Sequence, residues 1–367
     1  MEPYVHPDGT LSLLPPPEHY VVDFENPQRQ WVIEAYSITG GLNLVMLVFV
    51  AQRTYVKLWV HKKVDWDDAF FTIALGIISG LAAIILKAYA DGLLGTHAWE
   101  LTLDQYFIFT KALYPMPILY ALFSLFSKLS LACFYLRLSP QSWFKWSVWS
   151  LIVFIVGSNL GLAIAAALPC LPVEKLWTPA MTEGSCDVDL PAIYKGTAIC
   201  GLIADISLIA IPVYMTWNLQ MPKFQKFGLM VLFALGGITF VTSIIRLVYI
   251  IQQLTKMDQT WGAAPASVWA LIEAYLIMIC ATLPTVRLFF RKVAPKLMGT
   301  GSATKGSSGM PDTGRNNISL QAVSHQRSTM GKYSRFGDAE DSTERLDSGS
   351  ERAIIPSRDT INPKEYR

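Results

Sequence analysis

A chain of 367 residues with 52% hydrophobic and only 16% charged residues, and a mean hydropathy of +0.35, has more apolar side chains than one water-soluble core can absorb. Its formal net charge of +2 is small and dispersed, and no basic-plus-aromatic motif accompanies it, which excludes nucleic acid as a partner. The apolar residues crowd between about Trp31 and Phe290 with polar ends on either side, a block pattern whose solvent is the lipid bilayer.

Met1 to Gln30 lacks a basic leader, a short apolar core and a small-residue cleavage site. No removable signal peptide is expected there, and the first span serves as the insertion signal. A bilayer core about 30 Å thick takes roughly 20 apolar residues as helix. Seven stretches reach that length: Val32 to Val50, Ala69 to Ala88, Phe107 to Leu136, Ser147 to Leu168, Ala192 to Tyr214, Phe227 to Ile250, and Ser267 to Phe290. The third is longer than a span needs and holds Pro115 and Pro117, which predicts a kink or a start below Pro117. The expected fold is an all-α membrane protein, a seven-transmembrane helix bundle. Residues 1–30 form a short extracellular segment, 31–292 the bundle, and 293–367 a disordered cytoplasmic tail.

Orientation follows from Lys and Arg in short loops. Arg53, Lys57, Lys62 and Lys63 follow the first span, Arg137 and Lys145 the third, Lys223 and Lys226 the fifth, and Arg291, Lys292 and Lys296 the seventh. The alternate loops are mainly acidic. The basic side faces the cytoplasm, and an odd number of spans then puts the N-terminus outside. Cys170 and Cys186 fall together in the second outer loop, as a disulfide or as two thiols; the oxidising exterior favours the bridge.

Ionisable residues inside spans cost about 2.5–3.5 kcal/mol each on insertion scales. Lys128, Asp205, Arg246 and Glu273 are such residues. Counted along the helices, Arg246 and Glu273 lie roughly 6 and 10 Å below the outer surface, and Lys128 and Asp205 perhaps 8 to 13 Å from the inner one. Each couple is therefore within pairing distance, as structural glue or as a ligand or ion site, with glue the favoured reading and Glu273 the best functional candidate. Gly76 with Gly80, and Gly157 with Gly161, read as helix-packing contacts rather than a dimer interface.

A retinal chromophore needs a lysine in mid-span seven, and Lys292 at its inner edge comes too late. No phosphate loop, zinc-spaced cluster or nucleophile elbow occurs, so no cofactor or metal is expected.

The residues together resemble the fungal rhodopsin-domain family of integral membrane proteins from about Ala35 to Lys292. The resemblance rests on Asp67-Asp68, Gly95-Thr96-His97-Ala98-Trp99, Lys128-Leu129-Ser130, and Phe134-Tyr135-Leu136-Arg137. It continues with Cys170 and Cys186 around Trp177, Asp205 with Pro212, Phe233, Gly236 and Arg246, and Glu273 with Leu283-Pro284. Gly92-Leu93-Leu94-Gly95 is one residue longer than the family's usual Gly-x-Gly. The resemblance implies a receptor-like seven-helix shape without retinal, and it extends to members of secondary-metabolite gene clusters. His97, Trp99 and Trp177 are the outer-loop candidates. Arg137 is either a cytoplasmic gate for a G-protein or a positive-inside anchor, the anchor being favoured. The expectation is a plasma-membrane sensor of a small-molecule ligand, and the alternative an accessory or catalytic pathway protein using Asp205 and Glu273. Beyond Lys296 a Gly, Ser, Thr and charge-rich composition predicts disorder. In that tail the sequon at Asn317 goes unused, and Arg327-Ser328-Thr329 and Asp341-Ser342-Thr343 are candidate phosphorylation sites.

Overall fold

The computed structural model describes residues 4–293 except 8, 64, 178–183 and 218–222. The expected tail disorder, the sequon and the Ser/Thr sites lie outside the described residues.

Among the described residues, seven helical spans are long and apolar enough to cross a membrane. The first is α1 (Val32–Tyr55), prolonged by a π-helical turn at Val56–His61. Next come α2 (Trp66–Ala90), then α3 (Leu103–Leu113) and α4 (Pro115–Leu138), which together make the third span. After these run α5 (Ser142–Ala167), α6 (Leu190–Trp217), α7 (Lys223–Thr255) and α8 (Gln259–Val293). In sequence order α2 packs on α4, α4 on α5, α5 on α6, α6 on α7 and α7 on α8, and α8 returns to α1. The ring is closed, and α4 also touches α8 across it.

Local chemistry sets the breaks. Thr102 Oγ1 accepts from the Gln105 backbone N–H at 3.3 Å and Gln105 Oε1 accepts from Thr102 N–H at 3.0 Å, a reciprocal box that starts α3. Pro115 and Pro117 have no N–H to continue its ladder, so the hydrogen-bonded run stops at Leu113 while Tyr114 keeps helical dihedrals (φ −50°, ψ −46°). The expected kink is thus a hydrogen-bond gap inside one continuous span.

Pro265 inside α8 has a different effect. Its missing N–H frees the Trp261 carbonyl one turn earlier, and the Gln30 side-chain amide donates to that oxygen at 2.7 Å. This contact is one of several that fold the N-terminal segment over the outer end. A small hairpin, β1 (Tyr4–Val5) and β2 (Leu11–Ser12), begins it. Gln30 N–H then donates to Gly95 O at 2.9 Å, and Gln28 N–H and Tyr20 O–H donate to the Glu100 carboxylate at 2.9 and 2.6 Å. Burial and the Glu100 carboxylate push the Tyr20 phenol up to about 12, so it remains a donor at ordinary pH. The long Gly92 to Gly95 turn is accommodated by left-handed φ at both ends (+70° and +83°), while Leu93 and Leu94 turn into the core.

The second outer loop is closed by the Cys170–Cys186 disulfide. Trp177 packs edge-on to Tyr114 at 5.8 Å, with the Lys111 ammonium 5.9 Å above its ring. Exposed Trp59, Trp66, Trp143 and Trp146 ring the opposite, basic end, the usual place for an interfacial aromatic belt.

One packing expectation fails. A Cβ built at Gly76, Gly80, Gly157 or Gly161 would meet nothing within 4 Å. These glycines make no close helix contacts here, because their faces of α2 and α5 point away from neighbouring helices.

The disulfide closes a loop with a sequence separation of 16, which in the chain-entropy model stabilises the fold by about 3 kcal/mol. Replacing both cysteines with serine is expected to lower the thermal midpoint by roughly 5–10 °C, read by thermal unfolding in detergent with and without reductant.

Candidate functional site

Four ionisable side chains meet in the middle of the bundle. Lys128 on α4 donates from Nζ to Gly201 O at 2.9 Å and pairs with Asp205 Oδ1 on α6 at 2.9 Å. Arg246 on α7 pairs through Nε with the Glu273 carboxylate on α8. None of the four is more than 5% exposed. In so dry a setting isolated charges are prohibitive, and the two cations and two anions cancel.

The two pairs are parts of one network. Ser243 lies three residues before Arg246, on the same helix face. Its Oγ is 2.8 Å from Asp205 Oδ2, 2.6 Å from Glu273 Oε1 and 2.9 Å from Thr239 O. Tyr120 O–H donates to Glu273 Oε2 at 2.9 Å, and the Arg246 guanidinium lies 4.5 Å from the centre of the Tyr120 ring. Gly201 leaves room for the cationic heads: a Cβ there would sit 3.3 Å from Arg246 Nη2 and 3.9 Å from Lys128 Nζ.

A serine hydroxyl has a single proton to donate. Ser243 faces three acceptor oxygens, so with both carboxylates ionised its proton can serve only one of the three at a time. The two carboxylates therefore compete for it at similar distances.

Arg246 also lines a cavity of about 100 Å³ on the outer side of the network, with Leu94, Met116, Tyr120, Tyr194 and Gln253 among its walls. A smaller space of about 30 Å³ lies beside Lys128 and Asp205, enough for one water.

A second neutral cluster stands at the basic end. Arg53 is buried; it donates to Ala281 O at 2.6 Å and reaches Asp67 and Asp68 at 2.9 and 2.8 Å. Lys57 meets Asp68 at 2.8 Å and Asp67 at 3.1 Å. Arg137, expected chiefly as an anchor, pairs with Asp65 and lies 3.4 Å from Asp67 Oδ1. The Arg137 guanidinium holds the Asp65 carboxyl below its ordinary range. Arg53, counted in the sequence as a loop charge, is therefore inside the protein, because α1 runs past it to Tyr55.

At the outer end the His97 ring is sandwiched between Trp261 at 3.7 Å and Trp99 at 4.3 Å, with Nδ1 2.6 Å from Asp258 Oδ2. Trp177 belongs to a separate place, against Tyr114. The site residues named from sequence thus fall into a central network, an inner cluster holding Arg137, an outer clasp holding His97 and Trp99, and the disulfide loop. Tyr120, Gly201 and Ser243 were not singled out. Ser243 had one available signal, its spacing from Arg246; Tyr120 and Gly201 had none short of the fold.

The fungal rhodopsin domain, as a family profile, matches residues 52–292. A polyenoic acids biosynthesis gene cluster protein of Metarhizium anisopliae is 23% identical, over 71% of this chain and 74% of its own length. A fugralins biosynthesis cluster protein of Gibberella zeae is also 23% identical, over 80% and 79%. A protein named Receptor GIN3 from Arthrobotrys oligospora is 24% identical, over 76% and 71%. No solved structure matches.

Replacing Arg246 or Glu273 singly with methionine leaves one charge buried and unpaired, a loss expected at about 3–5 kcal/mol. The double replacement is expected to recover most of it. Thermal unfolding of the three variants decides this: additive losses would mean that the two residues do not act as a pair.

Proposed function

This chain belongs to the fungal rhodopsin domain family, and on that premise we propose that it is a receptor-like sensor of the plasma membrane which binds a small molecule within the bundle and signals through its basic, cytoplasmic face. The observation that supports this most is the continuous buried network from Arg246 through Glu273, Ser243 and Asp205 to Lys128, whose outer member lines a cavity. A receptor needs an element with two discrete arrangements that a ligand can bias. The single Ser243 proton between two carboxylates is such an element. A ligand that draws Arg246 away from Glu273 makes Glu273 the needier acceptor, and the proton moves its allegiance from Asp205. Asp205 then turns wholly to Lys128 on α4, the helix that ends in Arg137.

The readout in this scheme is the Asp65–Arg137 pair, partly exposed on both sides. It ties the inner end of the third span to the start of the second, and parting it would free the inner ends of both spans for a partner such as a G-protein α subunit. The relative named a receptor favours this reading.

The names of the two biosynthesis-cluster relatives favour a second reading, an accessory role in a secondary-metabolite pathway. Acid catalysis by Asp205 or Glu273 fits less well within it, since each carboxylate is engaged by a basic partner.

Asp65→Asn is expected to raise basal contact with a purified G-protein α subunit about two- to fivefold, the scale of one partly exposed ion pair. No α-subunit contact in either protein would move the balance to the pathway role. Because the Asp65 carboxyl is held low by Arg137, the folded form is favoured wherever Asp65 is ionised. The lock should therefore hold above the ordinary carboxylate range, about pH 4, and be lost as pH falls through the lowered value.

A further inference from the structure

The Arg246 guanidinium is under-satisfied. Its Nε is taken up by the Glu273 carboxylate, but its Nη2 has no hydrogen-bond partner among the described residues. Buried donors left unmade are costly, and an incoming acceptor would offset that cost. The same side chain lines the cavity, whose other walls include Leu81, Ile85, Met116 and Ile250. An apolar cavity of about 150 Å³ holds benzene; by that scale the roughly 100 Å³ here takes about four non-hydrogen atoms.

Charge then selects among ligands. Lys128, Asp205, Arg246 and Glu273 already sum to zero, so an anion brought into this interior would find no spare counter-charge, and a cation would meet Arg246. An uncharged acceptor satisfies the guanidinium without upsetting the balance. We propose that the cavity binds a small, uncharged, mainly apolar molecule bearing one carbonyl or ether oxygen, which accepts a hydrogen bond from Arg246. This rests on the receptor reading and names the chemistry of its ligand.

Three probes of matched size separate the possibilities: 2-butanone, its alkane counterpart 2-methylbutane, and propionate. Each is titrated against the full chain in nanodiscs by ligand-observed NMR. The same titration of Ala270→Phe, which fills the cavity from the α8 wall, subtracts partition into lipid. Thermal unfolding checks that this variant folds, and Ser267→Leu on the same wall replaces it if it does not.

The expected result is saturable binding of 2-butanone that the filled variant loses. The alkane should bind at least tenfold more weakly, about the factor of one hydrogen bond to a charged group, and propionate no more tightly than the ketone. Equal binding of the alkane, tighter binding of propionate, or ketone binding unchanged by the filled cavity would overturn the proposal. If the ketone fails while Asp65→Asn still raises α-subunit contact, the ligand class alone falls; if both fail, so does the receptor reading.

Discussion

Charge placed in a medium with almost no water must be cancelled within a few ångströms, and most of this bundle's geometry follows from that demand. The first, second, third and seventh spans are tied at the basic end by a cluster in which Arg53, Lys57 and Arg137 face Asp65, Asp67 and Asp68. The third, fifth, sixth and seventh spans are tied at mid-depth by Lys128, Asp205, Arg246 and Glu273. Each cluster is neutral as a set and badly unbalanced if one member is lost. The third and seventh spans belong to both, which makes them the shared frame of the molecule. The fourth span takes no part; α5 packs on α4 and α6 through apolar side chains such as Phe144, Val148 and Ile155.

Within that frame the polar atoms are not all at rest. Ser243 is asked for more protons than it has, and Arg246 has a donor without an acceptor among the described residues. Two backbone carbonyls elsewhere are met by side chains. The carbonyl freed by Pro265 is taken by Gln30, and the Ala281 carbonyl is taken by Arg53. Fully satisfied polar groups make a rigid scaffold, whereas a group with a choice of partners can be biased by a neighbour. Arg246, one of the groups with that freedom, also lines the outer cavity.

The spans were legible because hydropathy over twenty residues is a property of the stretch alone. The pairing of Lys128 with Asp205 and of Arg246 with Glu273 was legible too, since helical rise converts residue number into depth and leaves few partners for either cation. That Ser243 joins the two pairs into one network was not. What sequence could not supply is which side of a helix faces which neighbour. Gly76 with Gly80 has the spacing of a tight helix contact but faces open space. Arg53 had the look of a loop charge and is buried, since the helix runs on through it. The N-terminal segment, polar and rich in proline, gave no periodicity to read, and its attachment depends on Glu100, Gly95 and Trp261 far along the chain. Tyr120 and Gly201 matter only through their distance to Arg246, which no local pattern encodes.

The order in which the charges are synthesised has a consequence for how the protein is made. Arg53 is followed closely by Asp67 and Asp68, so the first two spans can enter the bilayer as a neutral hairpin. Lys128 has no such neighbour. Its partner Asp205 emerges two spans later, a delay on the order of ten seconds at ordinary rates of translation. Throughout that interval the third span holds an uncompensated ammonium in or near lipid. A nascent chain in this state needs shelter at the insertion machinery or from an intramembrane chaperone. Truncated products that stop before the fifth span would expose the lysine permanently, the kind of lesion by which membrane quality control distinguishes an unfinished protein from a finished one.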